Sequence, residues 1–563
     1  MKQPLIECVP NFSEGKNKSI IDTIVNSIAS VEGVKVLNVD MGAATNRTVV
    51  TFVGTPESVV EAAFQGIKTA GELIDMRYHK GEHPRMGATD VCPLIPIRDI
   101  TMEETVQYAI QLARRVGEEL QIPVYLYEYA QNKEYRKNLS VIRAGEYEGF
   151  FEKIKLPEWK PDFGPDTMDA KRGATVIGAR KILVAYNVNL NTTSVRRANS
   201  VAFDVREAGR VMREGGKPTG KIIYNEDGTP KIQPGMCKAV KAIGWYIEEY
   251  GIAQVSMNLT DIDVTPVHKA FEACCISAEK RGLRVTGSEL VGLIPLKALT
   301  DAGKYFLKKQ GLSSGLSEKE LIHIAIKSLG LDELKPFKPE ERIIEYLIAD
   351  KKESELVNKT VADFVDITAS ESPAPGGGSV SALCGALGTA LGAMVANLSA
   401  NKKGWEDQTE LFSNYAEQLQ SAKAKLLQLI DRDTLAFNEV MKAFALPKNT
   451  DEEKQQRKQA IDNATFNAML IPFETMKIAL ECMDNLQLMA EKGNPNSVSD
   501  AGVGAMCIRT AVLGAAMNVK INAQSILHLD KVRDILQQTE SMEKTAEEKE
   551  KNIREIVNRK INS

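Results

Sequence analysis

The sequence predicts a multidomain chain: two α/β ferredoxin-like halves, each of order β-α-β-β-α-β, followed by an all-α helical bundle. Three observations carry this. Over about the first 130 residues, period-two apolar runs alternate with helix-period runs in that order. A similar order returns between Thr175 and Pro295, without close sequence repetition. After Leu334-Lys335-Pro336-Phe337-Lys338-Pro339 the strand patterns stop and long helical stripes run to the C-terminus. At 563 residues the chain exceeds what one hydrophobic core organises. The expected boundaries are 1–178 and 179–330 for the two α/β subdomains, 331–358 for a linker and 359–563 for the helical domain.

In the first half, 5–9 reads as a strand, followed by a helix with Ile20, Ile21, Ile24, Val25 and Ile28 on one face. Strands over 34–39 and 48–53 precede a helix striped by Val59, Val60, Ala63, Phe64, Ile67, Ala70 and Ile74, and a strand over 91–97 closes the set. Thr55 supplies an N-cap and Pro56 the first helical residue, where a missing N–H costs nothing. In the second half the expected elements are a strand over 175–190, a helix over 194–208, strands over 239–248 and 253–259, a helix over 268–281 and a strand over 289–295. Thr265-Pro266 repeats the capping signal. A cleft between two such halves is a natural ligand site. In the last third, Leu419, Ala422, Leu426, Ile430, Phe437, Val440 and Phe444 form one apolar seam. Further helices are expected around 461–489, 503–527 and 531–561, the polar stretch from Ser541 being a solvated face.

Hydrophobic content of 43%, charged content of 26% and a net charge of -4 give no global basic field, so no nucleic-acid partner is expected. The N-terminal MKQPLIECVPNFSEG lacks a long apolar core and carries Glu7 and Glu14, which points to a cytoplasmic location. Eight cysteines without a CxxC pair read as reduced, mostly buried thiols. Residues 380–400 carry no charge, and Gly388 and Gly392 stand in GxxxG spacing, but Ala, Gly, Ser and Thr dominate. A packed bundle helix, not a membrane span, is the expectation, and no membrane partner.

The chemistry concentrates in Tyr78-His79-Lys80-Gly81-Glu82-His83-Pro84-Arg85-Met86-Gly87-Ala88-Thr89-Asp90, which holds two of five histidines. Pro84 pushes His83 toward an extended backbone, and Gly81 and Gly87 let the chain turn, so the loop presents an imidazole suited to proton transfer near neutral pH. The alternative is a histidine that caps the loop by hydrogen bonds. His79, Glu82 and His83 formally match H-x-x-E-H, but Gly81 and Pro84 oppose the helix that zinc pattern needs, and no metal is expected. Further on, Asn187, Asn189 and Asn191 alternate on one strand face, where their amides suit an amide-rich ring or else bridge strand edges. Gly376-Gly377-Gly378-Ser379 opens the small-residue helix, whose free N–H groups can hold an anion or simply make a tight turn. Asp433, three residues after Ile430 and four before Phe437, lies in the apolar seam, where desolvation raises a carboxyl pKa toward general-acid use. Asp431 falls off the seam and is expected to face solvent.

The segments ECVPNFSEG, GEHPRMGATDVCPLIP, GARKILVAYNVNL, QVSMNLTD, PFKPEERIIEYL and PAPGGGS together resemble the formimidoyltransferase-cyclodeaminase family, bifunctional folate enzymes of histidine breakdown. The resemblance spans nearly the whole chain. It implies transfer of a formimidoyl group between N-formimidoyl-L-glutamate and tetrahydrofolate by the first two subdomains. Cyclisation of 5-formimidoyltetrahydrofolate to 5,10-methenyltetrahydrofolate, with release of ammonia, then falls to the helical domain. The family's catalytic histidine falls on His83, its pterin-binding segment on Gly173, Ala174, Thr175, Val176, Ile177 and Gly178, and its cyclodeaminase aspartate in the Asp431/Asp433 pair, where the seam selects Asp433. Asp40, Arg85, Asn187, Asn189, Gly376, Gly377, Gly378 and Ser379 complete the expected substrate- and folate-binding set. Tetrahydrofolate, polyglutamylated, is the expected co-substrate, and a ring-like homo-oligomer through both domains the expected assembly. The competing reading is a folate-dependent glutamate formyltransferase whose helical domain is only an oligomerisation scaffold.

Overall fold

Strand alternation builds the first sheet and turns one acid away from its core. In β1 (Leu5–Cys8) Ile6 and Cys8 are buried among helix residues, so Glu7 points to the opposite face. The computed structural model describes residues 3–43, 45–81, 84–216, 219–349 and 355–563. Glu82 and His83 therefore lie outside the described residues.

β2 (Asn11–Phe12) continues β1, and α1 (Lys18–Ala29) follows, capped by Asn17 and burying Ile21, Ile24 and Ile28. Then come β3 (Lys35–Gly42), β4 (Arg47–Gly54) and α2 (Pro56–Leu73), where the Thr55 side chain accepts from the Ser58 N–H as its sequence predicts. After β5 (Thr89–Arg98) the chain adds α3 (Met102–Glu119), β6 (Val124–Glu128), α4 (Leu139–Ile142), α5 (Glu146–Lys153) and β7 (Thr175–Ala179). The sheet runs β3-β4-β1/β2-β5-β7-β6; its pairs are antiparallel except β5–β7 and β6–β7, which are parallel.

The strand expected over 175–190 is two strands in two sheets. β7 completes the first, and β8 (Val184–Leu190) opens the second. The Arg180-Lys181 pair breaks the apolar run where the chain crosses over. α6 (Val195–Val205), β9 (Arg210–Val211), β10 (Ile232–Gln233), β11 (Val240–Ile247), β12 (Ile252–Leu259), α7 (Val267–Glu279) and β13 (Val285–Val291) follow, with a four-stranded antiparallel order β11-β12-β8-β13. The expected Thr265 cap is not formed: its hydroxyl donates to the Lys238 carbonyl, and Pro266 stands at the N-cap.

α8 (Leu296–Lys309) and α9 (Glu318–Leu329) lie almost wholly outside the α/β unit, which consists of Met1–Ala298 and Leu329–Ile348. Leu299–Ser328 instead groups with Ala349–Ser563 in a helical unit. There the α8–α9 turn is pinned by Ser313 Oγ donating to Asn397 Oδ1 (2.7 Å) and Ser314 Oγ donating to Glu417 Oε1 (2.5 Å). The chain then returns through α10 (Pro339–Arg342) and α11 (Ile344–Ile348), where Ile343 and Ile344 are buried and the Ile344 N–H donates to the Ile294 carbonyl (3.1 Å). Each buried isoleucine contributes about 2 kcal/mol. A fragment of residues 1–349 should therefore melt at a higher temperature than one of residues 1–330 in a circular-dichroism scan. Equal midpoints would show that the returning segment adds nothing to the α/β unit.

The helical unit continues with α12 (Val361–Thr368), α13 (Gly377–Ala400), α14 (Thr409–Phe444), α15 (Asp451–Glu481), α16 (Met483–Lys492), α17 (Val498–Ala523) and α18 (Asp530–Ile561). The small residues of α13 admit close neighbours: a Cβ on Gly388 would stand 2.7 Å from the Gly504 carbonyl oxygen of α17. Residues 377–400 and 495–526 are long and apolar enough to cross a bilayer, yet 61% and 50% of their most apolar stretches are buried inside the protein.

The seam of α14 holds at Leu419, Leu426 and Ile430, which are buried, and fails beyond them, where Phe444 is 49% exposed. Asp431, expected to face solvent, is 3% exposed. Leu356, from the segment preceding α12, covers that side of the helix, and helix periodicity alone carries no trace of such a cover.

Candidate active sites

In the α/β unit, residues of both sheets line a cleft of about 700 Å³. Glu7, Asn11, Asp40 and Arg47 reach it from the first sheet, Lys241 and Asn258 from the second, and Arg143, Arg180 and Lys181 from the intervening segments. Burial pushes Glu7 up to about 7 and lowers Arg47 to about 10, with Arg143 lowering the latter further and Asp90 opposing. Asp40 meets the cleft's solvent, but surrounding protein desolvates it enough to raise its pKa, against Arg342.

The described flanks of the histidine loop are fastened by backbone. The Ala88 N–H donates to the Arg172 carbonyl (2.8 Å), the Ala174 N–H to the Met86 carbonyl (3.1 Å), and Ser13 Oγ to the Gly87 carbonyl (2.7 Å). Gly87 and Gly173 bridge each other, Gly173 at φ +73°; a Cβ on either would overlap the other strand's backbone. His79 Nε2 lies 2.9 Å from the Asn46 carbonyl oxygen.

The expected binding residues divide. Asp40 lines the cleft. Arg85 is turned to Glu146 (3.0 Å) and Glu148 (2.6 Å), which hold its guanidinium charged. Gly173 makes the backbone crossing, while Ala174, Thr175, Val176 and Ile177 are buried core, and Gly178 packs on Tyr127. The cleft is lined instead by the next residues, Arg180 to Leu183. Asn187 and Asn189 do share a face, but their amides donate to Glu289 (3.3 Å) and Glu333 (2.6 Å) of this chain, and Asn189 Oδ1 accepts from Gln254 (2.8 Å).

In the helical unit the expected residues come together. Gly376 is the N-cap of α13, and Gly377, Gly378 and Ser379 form its first turn. Ser379 Oγ donates to Asp433 Oδ2 (3.2 Å) or to the Ile430 carbonyl (2.8 Å), and burial raises the Asp433 pKa against hydrogen bonds from the Ser379 side chain and backbone. Asp431 accepts instead from the Leu356 N–H (2.6 Å) and Val357 N–H (3.1 Å), which makes it an anchor for the chain entering this unit. A Cβ on Gly378 would overlap the Asp433 carboxylate. Gly378→Ala should therefore displace the carboxylate and lower the helical unit's activity by about 10²-fold, measured as turnover by protein whose melting temperature is checked. Wild-type turnover would show that this close approach is incidental.

Among the residues without a sequence-derived role that stand at these sites are Glu7, Arg47 and Asn518, whose amide nitrogen would lie 3.1 Å from a Cβ on Gly377. For Glu7 the signal was present: an acid between Ile6 and Cys8 in an apolar strand.

The geometry defines a two-site enzyme, with a charged cleft in an α/β unit and a desolvated carboxylate at a helix start in a helical unit. The family models described as the formiminotransferase domain, N-terminal subdomain, the formiminotransferase domain and formiminotransferase-cyclodeaminase match residues 5–180, 185–349 and 360–541 respectively. The formimidoyltransferase-cyclodeaminase of Gallus gallus is 45% identical over 523 residues, 93% of each chain. A glutamate formimidoyltransferase of Streptococcus pyogenes is 42% identical over 54% of this chain and 93% of its own. A methenyltetrahydrofolate cyclohydrolase of Methylorubrum extorquens is 36% identical over 36% of this chain and 99% of its own. The chain belongs to the formimidoyltransferase-cyclodeaminase family.

Proposed function

We propose that the protein is a bifunctional folate enzyme. The α/β unit transfers the formimidoyl group between N-formimidoyl-L-glutamate and tetrahydrofolate. The helical unit closes 5-formimidoyltetrahydrofolate to 5,10-methenyltetrahydrofolate and releases ammonia. The observation that carries this reading is 45% identity running through both units. The scaffold-only alternative is not favoured, because the cyclodeaminase family model covers the helical region and Asp433 is a desolvated acid there.

In transfer, N5 of the folate attacks the formimidoyl carbon and loses its proton, and the bond from that carbon to the glutamate nitrogen breaks as that nitrogen gains one; His83 is assigned that acid–base work. In cyclisation, N10 attacks the same carbon, loses its proton and displaces the amino group as ammonia. Asp433 is assigned the delivery of a proton to the departing amino group, and Gly376, Gly377, Gly378 and Ser379 at the helix start are assigned to hold the ligand. Asp40 is assigned to the transferase cleft. The reading extends to ferredoxin-like halves, a polyglutamylated folate, histidine degradation, a cytoplasmic location and a ring-like homo-oligomer, with no metal, nucleic acid or membrane. Exposed apolar side chains on α13 and α17, among them Leu387, Leu398, Met517 and Ile521, favour self-association.

Incubation of the purified chain with tetrahydrofolate and N-formimidoyl-L-glutamate tests the whole. Methenyl-folate absorbance and ammonia should appear together; ammonia-free 5-formimidoyltetrahydrofolate as the end product would leave only the transferase.

A further inference from the structure

Glu7 is a buried acid that the roles above do not use. It is 4% exposed, and its face of the sheet lines the transferase cleft. Its partners in register are Val53 on β4 and Ile95 on β5, with Val9, Val91 and Pro93 further along the same cleft wall. None of these donates a side-chain hydrogen bond. The charged groups that act on Glu7 are Arg180, between β7 and β8, and Glu345, on α11, with opposite effects. No hydrogen-bond donor among the described residues reaches its carboxyl. Its oxygens are not sealed from solvent but open into the cleft, where a ligand can supply the donors that buried acids ordinarily find.

We propose that Glu7 recognises the planar N–C–N edge of a bound substrate, accepting two parallel N–H hydrogen bonds from it. A carboxylate matches such an edge bidentately. The inference rests on the transferase reading, under which this chemistry has two sources: the 2-amino and N3–H edge of the pterin, and the amidine group of N-formimidoyl-L-glutamate. Near pH 7 the free site is partly protonated, and a ligand that hydrogen-bonds to the carboxylate form drives the proton off.

Calorimetric titration of the full chain with tetrahydrofolate and with N-formimidoyl-L-glutamate, separately, tests this. Glu7→Gln should weaken one of the two at least tenfold, and the affected compound names the source. In wild type, the same compound should release roughly half a proton per site at pH 7, read from buffers of different ionisation enthalpy. Binding of both compounds within twofold of wild type by Glu7→Gln overturns the proposal. If that variant does not fold, absence of proton release from wild type with either compound overturns it instead. Wild-type turnover in the same preparation reports separately on the transferase reading.

Discussion

Asp433→Asn is expected to lower cyclisation by about 10²- to 10⁴-fold, so that 5-formimidoyltetrahydrofolate accumulates while transfer continues. The substitution keeps size and shape and removes the exchangeable proton. Burial raises the Asp433 pKa above its usual 3.8, so the acid form persists to higher pH. Wild-type cyclisation should therefore fall as pH rises through that raised value, and Asp433→Asn should lack this alkaline limb. The same shift has a stability consequence of defined sign. Between 3.8 and the raised value the folded chain holds the proton that the unfolded chain has released, so folding stability falls as pH rises through that window. Asp433→Asn removes that fall. Asp431→Asn serves as the contrast: it weakens the acceptor of two backbone N–H groups, costs about 1–3 kcal/mol, and leaves turnover of the folded protein near wild type. Loss of cyclisation in Asp431→Asn with retention in Asp433→Asn would reverse the assignment.

His83→Ala should reduce formimidoyl transfer by about 10²- to 10⁴-fold, while the helical unit still cyclises supplied 5-formimidoyltetrahydrofolate. His83 is outside the described residues, so the expectation rests on its loop and on the family. The other histidine of the loop, His79, has Nε2 at the Asn46 carbonyl and accepts at Nδ1 from Arg85 Nε (3.3 Å), so both ring nitrogens are occupied. The loop's flanks are pinned at Ala88 and Gly87, which suits a reacting group that must hold position. Transfer above a tenth of wild type at saturating substrates would remove His83 from the catalytic role.

What was legible in the sequence was local. The Thr55 cap needs only the next three residues, and the burial of Ile21, Ile24 and Ile28 follows from helix period. The desolvation of Asp433 was only half legible: Ile430 lies one turn before it on its own helix, but the start of α13 closes over its carboxylate. The errors came where a distant segment decides. Asp431 is buried because Leu356 arrives from outside α14. The run 175–190 divides between sheets because β7 finds β5 and β6, partners that strand periodicity does not name. Asn187 and Asn189 alternate as read, but Glu289 and Glu333, about a hundred residues or more away in sequence, take up their amides. For Glu7 the sequence carried half of the signal, an acid in an apolar strand; the other half, burial between β4 and β5, is assembled by the fold.

The return of Leu329–Ile348 to the α/β unit bears on how the chain is made. When Ala298 leaves the ribosome, the first unit still lacks its last segment, and the intervening Leu299–Ser328 belongs to a unit whose remainder has yet to be synthesised. Fifty residues separate Ala298 from the completion of that unit at Ile348. At about 5–20 residues per second, the ribosome needs several seconds to supply them. During that interval the site that Ile343 and Ile344 will fill is open, and Leu299–Ser328 has no helical unit to join. The order of domains along the gene is therefore not the order in which their cores close: the α/β unit begins first but finishes only after part of its neighbour has already emerged.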